Sequence, residues 1–76
     1  MSPEKLIHMA NQIALFMESK PHAEGVAGIA NHINDFWEPV MRGQFLALVD
    51  AGGSGLRPLV MDAASRINRP VDHHLA

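Results

Sequence analysis

The sequence predicts an all-α fold, a small bundle of three to four helices whose first two form an antiparallel hairpin. Three observations carry this. Apolar residues recur three and four positions apart, strict alternation is missing, and β-branched residues are sparse. Pro3, Pro21, Pro39 and Pro58 each stand just before such an apolar-periodic segment, and Pro70 closes the last one. One phrase is also written twice. Met9-Ala10-Asn11-Gln12-Ile13-Ala14-Leu15-Phe16-Met17 returns as Ile29-Ala30-Asn31-His32-Ile33-Asn34-Asp35-Phe36-Trp37, with Ala, Asn, Ile and Phe at the same offsets.

Proline suits a first helical turn, where its missing N–H would be unpaired anyway, and it pushes the preceding residue out of the α region. The prolines therefore set helices at about 3–18, 22–36, 39–51 and 57–68. The first opens on Ser2 as N-cap with Glu4 on the helix dipole, and its apolar stripe is Leu6, Met9, Ala10, Ile13, Phe16 and Met17. The second repeats the stripe with Val26, Ile29, Ala30, Ile33, Phe36 and Trp37; Gly25 and Gly28 mark either a close helix approach or a frayed first turn. The third carries Val40, Met41, Phe45, Leu48 and Val49 and stops at Gly52-Gly53. The fourth is short, with Leu59, Val60, Ala63, Ala64 and Ile67. Short connections favour antiparallel neighbours, so the third and fourth helices should cover the hairpin.

Seventy-six residues make one domain, expected over 1–68, with 69–76 as a loose C-terminal tail. The absence of cysteine removes disulfides, thiolate zinc sites and iron–sulfur ligation. It also fits a cytoplasmic protein, as does an N-terminus whose Pro3, Glu4 and spaced apolar residues do not read as a secretory signal. No apolar run reaches the length of a membrane span. A net charge of -2 argues against nucleic-acid binding. Apolar residues at 47% against 18% charged suggest that some apolar area faces a partner.

The best candidates for that partner surface lie opposite the apolar stripes. His8, Asn11, Gln12 and Leu15 share one arc of the first helix, where a free surface would usually carry Lys and Glu. Gly28, Asn31, His32 and Asp35 take the matching place on the second. Interface cores are depleted in charge, so these two faces, with Arg42, read as docking residues; ordinary solvated surface is the plainer alternative. Other chemistry is poorly supported. His8 and His32 have no second ligand at i+4, and His73-His74 falls in the tail, so no metal site is expected. Glu4, Glu18, Glu24, Asp35, Glu38, Asp50 and Asp62 sit near helix ends or on exposed arcs. Ser54 lies in a glycine-rich turn that lacks the strand of a nucleophile elbow and the lysine of a phosphate loop. Met9, Met17, Met41 and Met61 are apolar filler, and most of the Trp37 ring is assigned to the core.

Three stretches carry a family resemblance. Lys5-Leu6-Ile7-x-Met9-Ala10-Asn11-Gln12-Ile13-Ala14-x-Phe16, His32-Ile33-x-x-Phe36-Trp37-Glu38-Pro39-x-Met41-Arg42 and Ala51-Gly52-Gly53-x-Gly55-Leu56-x-Pro58-Leu59-Val60 resemble, in order, the motifs of the small delta subunit of soluble NAD-dependent formate dehydrogenase. The departures are Val40 where that family commonly has a basic residue, Leu48 near its histidine, Arg57 near its acid, and Glu38 for its aspartate. The resemblance implies a non-catalytic accessory subunit of a cytoplasmic complex, with no cofactor of its own. The parent enzyme would hold a molybdenum or tungsten bis-pterin guanine dinucleotide, iron–sulfur clusters and FMN, and would use NAD. The alpha subunit is the implied docking partner, with beta and gamma in the same complex. The implied role is assembly, stability or pterin-cofactor insertion. A transient assembly chaperone and an unrelated homodimeric helical regulator are the competing readings, and an independent enzyme is the least supported.

Overall fold

The computed structural model describes residues 1–70 and is all-helical. Helix α1 spans Pro3–Met17, α2 His22–Phe36, α3 Pro39–Asp50 and α4 Pro58–Ala63, and a 3-10 turn at Ala64–Arg66 continues α4. Among the described residues there is no strand.

The start signals operate as the sequence says, with one variation. Pro3, Pro39 and Pro58 occupy the first positions of α1, α3 and α4, whereas Pro21 is itself the N-cap of α2. The Ser2 hydroxyl accepts from the Lys5 N–H at 3.2 Å, closing the α1 cap. Glu38 caps α3 by position only, with no side-chain hydrogen bond. The end of α3 is a Schellman motif: the Gly53 N–H donates to the Leu48 carbonyl and the Gly52 N–H to the Val49 carbonyl. This needs positive φ, and Gly52 and Gly53 supply it at 119° and 66°. The fourth segment, expected as one helix to residue 68, tightens after Ala63 and is extended by Ile67.

α1 and α2, joined by residues 18–21, form the αα-hairpin. Glycine makes their contact close. A Cβ at Gly25 would stand 3.1 Å from the Met17 carbonyl and 3.0 Å from a Leu59 methyl, and one at Gly28 would stand 2.6 Å from Met17 Sδ. Close helix approach, not fraying, is therefore the reason for this pair. It also moves Gly28 off the outer face, because Met17 lies over it. α4 packs on α2 and on α1, and α3 packs on α1.

The core is one cluster. Leu6, Ala10 and Ala14 enter from α1, Val26, Ile29, Ala30 and Ile33 from α2, Phe45 and Leu46 from α3, and Leu59, Val60, Ala63 and Ile67 from the last segment. Trp37 is buried and meets Phe45 edge-on, with centroids 5.5 Å apart and planes at 86°. Three residues expected on the apolar stripes are not in it. Phe16 is 67% exposed and Phe36 is 74% exposed. On α1 the buried arc is centred on Ala10, with Leu6 and Ala14 beside it, and Phe16 lies about 120° away at 100° per residue. Phe36 is the last residue of α2. Val40, also assigned to the apolar stripe, is 67% exposed, while Leu46 takes a buried place.

Candidate partner-docking faces

The clearest local architecture is a pair of asparagine clamps around α4. The Asn11 amide donates through Nδ2 to the Gly55 carbonyl at 2.9 Å and accepts from the Arg57 N–H at 2.9 Å. The Asn34 amide donates to the Arg66 carbonyl at 3.0 Å and accepts from the Asn68 N–H at 2.7 Å. Each side chain bridges the carbonyl of one residue and the N–H of the residue two further on. An amide is the side chain that can do both at once. One clamp holds the N-cap of α4 and the other the exit from its 3-10 turn, so α1 and α2 fix the short helix at both ends.

Two charged residues complete this scaffold. Arg57 Nε and Nη2 donate to the two Glu18 carboxylate oxygens at 2.6 and 2.9 Å. That bidentate bond holds the Glu18 carboxyl below its ordinary range, against a smaller opposing effect of burial, and raises Arg57. Arg42 Nε donates to the Asn68 carbonyl at 3.0 Å and Nη1 to the Trp37 carbonyl at 2.8 Å. Asn68 is thus held through both its N–H and its C=O. Arg69 follows with a 2.8 Å bond to Asp50, and the Pro70 ring lies against Gly43. These two residues begin the segment expected as a C-terminal tail; its remainder, with His73-His74, lies outside the described residues.

The eight sequence-selected docking residues therefore divide by environment. His8, Gln12, Leu15, Asn31, His32 and Asp35 are exposed. His32 stacks on Phe36 at 4.9 Å, tilted by 40°. Asn11 and Arg42 are half-buried and have structural duties. The twin asparagines of the repeated phrase are therefore not equivalent: Asn11 is a clamp and Asn31 is open to solvent. The second clamp comes from Asn34, which aligns with Ala14 and which sequence reasoning passed over. Its bonds reach 32 and 34 residues along the chain, so no local pattern announces them.

Sequence reasoning also missed the apolar content of these faces. Phe16 adjoins Leu15, which is 49% exposed, and Lys20 Nζ sits 5.4 Å from the Phe16 centroid. Phe36 lies beside Asp35 and one turn from His32. The signal was present in the recurrence itself: Phe follows Ile by three in both copies. Among the described residues no polar side chain is buried, and no group of three or more His, Asp or Glu is placed to hold a metal ion. No helix of the described residues is long and apolar enough to cross a membrane.

Compared with known families, residues 5–64 match the model for NADH-dependent formate dehydrogenase delta subunit FdsD. Neither the curated proteins nor the solved structures gave a match.

Proposed function

The chain belongs to the family of NADH-dependent formate dehydrogenase delta subunits, and from that premise we propose that it is a non-catalytic accessory subunit that docks on the catalytic alpha subunit through the outer faces of α1 and α2. Its role there is to support assembly and stability of the enzyme or insertion of the pterin cofactor. The observation that carries the reading is the exposure of both phenylalanines of the repeated phrase, at 67% and 74%. Interfaces are enriched in aromatic residues at their centres, and a buried aromatic anchor contributes more to affinity than its polar neighbours. Gln12 and Leu15 lie beside Phe16 on α1, and His32 stacks on Phe36.

Docking would stabilise the alpha subunit by linkage, because a ligand that binds only the folded form shifts folding toward it. The experiment is co-purification of the alpha subunit with tagged chain carrying Phe16→Ser and Phe36→Ser together. Both side chains are exposed, so the double variant should fold, and it should lose the alpha subunit. Full retention by a folded double variant would overturn the assignment of these faces.

A further inference from the structure

The first turns of α3 and residues 69–70 enclose an open cleft of about 720 Å³. Pro39, Val40, Gly43 and Pro70 give it apolar walls, and Arg42, Gln44 and Arg69 give it polar ones. Its size falls within the range of roughly 300–1,000 Å³ typical of ligand-accepting clefts. Among the described residues, every charged side chain lining it is a cation.

The two guanidiniums differ. Arg69 has one N–H on the Asp50 carboxylate, which offsets part of its charge. Arg42 is anchored by Nε and Nη1 on two backbone carbonyls. A guanidinium carries five N–H donors in a rigid fork, so these anchors leave three donors on an arm already fixed in place. A fixed donor loses little further conformational freedom when it binds an acceptor. Val40 stands on the rim, 67% exposed, where it also borders a second cleft lined by Lys5, Glu38 and Met41.

We infer that this cleft docks a protein segment carrying an apolar side chain next to a carboxylate, presented by a neighbouring subunit of the complex. The inference rests on the reading of this chain as a docking subunit and narrows it to a position and a partner chemistry. Charge complementarity sets the sign: an all-cationic lining accepts an acidic group and disfavours a basic one. The apolar walls set the class. A small anion would use only the guanidiniums, whereas a protein side chain also covers Val40, Pro39 and Pro70.

The test titrates purified chain onto formate dehydrogenase prepared without its delta subunit and compares Val40→Asp with Val40→Lys. Val40 is exposed, so both variants should melt close to the wild type. Val40→Asp sets a carboxylate against the incoming one and should weaken binding by about tenfold or more. Val40→Lys adds a cation beside the acid and should hold affinity within about threefold or improve it, with a steeper loss as salt rises from about 0.05 to 0.3 M. Equal binding by the wild type and Val40→Asp would overturn the inference while leaving the docking reading intact. So would an equal loss for both variants, which would mean that the rim needs only bulk. Sedimentation showing a dimer that Val40→Asp breaks would make a second copy the occupant and would also overturn it. No binding by the wild type would overturn the docking reading itself.

Discussion

Asn11 and Asn31 occupy the same place in the repeated phrase, yet the structure assigns them unequal contributions to stability. Replacing either with alanine changes helix propensity by a similar small amount, so that effect cancels when the two variants are compared. What remains is the clamp. Asn11→Ala removes two hydrogen bonds, to the Gly55 carbonyl and from the Arg57 N–H. At about 0.5–1.5 kcal/mol net for each bond, the pair contributes about 1–3 kcal/mol. Asn11 is half-buried, so water reaches part of what the side chain leaves, which favours the lower half of that range. Asn31 is exposed and makes no hydrogen bond through its side chain among the described residues, so its loss should stay within about 0.5 kcal/mol. In a domain of this size about 1 kcal/mol moves the melting temperature by roughly 4–8 °C. Thermal unfolding followed by far-ultraviolet circular dichroism should therefore place Asn11→Ala at least about 4 °C below Asn31→Ala. Melting temperatures within about 2 °C of each other would refute the clamp as a source of stability. The same reasoning restricts interface mutagenesis: a lysine at position 11 would confuse unfolding with lost docking, whereas one at position 31 would not.

Three further outcomes follow from the geometry. Gly53→Ala should destabilise by about 1–2 kcal/mol from its positive φ, as urea unfolding would show. Trp37→Ala and Phe36→Ala are adjacent large-to-small changes with different expectations. The first should cost about 3–5 kcal/mol, much of the stability of a chain this short, and the second almost nothing, read by the same unfolding assay. Glu18 has its folded pKa below the ordinary 4.5, so the stability of its pair with Arg57 is present above that pH and is lost as the pH falls through the lower folded value. Glu18→Gln should therefore be less stable than the wild type at neutral pH and should converge with it in acid, in a pH series of melting temperatures.

The fold was largely legible because its signals are local. Prolines at helix starts, a Schellman pair of glycines and a three–four apolar spacing each act within one turn of chain, and all four helices follow from them. The division of the apolar arc was not legible. Periodicity shows that Phe16 and Ala14 are both on α1, but which one is covered depends on where α3 and α4 come to rest. Ala10 and Ala14 are the covered ones, and the larger phenylalanine is left outside. The asparagines illustrate the same limit at the site. Asn11 and Asn31 have similar local contexts, and the position of residues 55–57 against α1 makes one of them structural. Arg42 was selected for the acceptors it could reach on a partner, and two of its donors are held by the carbonyls of Trp37 and Asn68. Its side chain also lines the cleft that α3 forms with Pro70, a neighbour 28 positions along the chain that no motif connects to it.

The most direct test of the accessory-subunit reading is to purify formate dehydrogenase through a tag on this chain, then measure subunit ratios by mass spectrometry and formate-dependent NAD reduction in the same preparation. The reading predicts active enzyme with this chain and the alpha subunit in a fixed ratio. Recovery of only immature, cofactor-poor alpha subunit would contradict it in favour of a transient chaperone. Recovery of the chain without any formate dehydrogenase subunit would contradict it altogether.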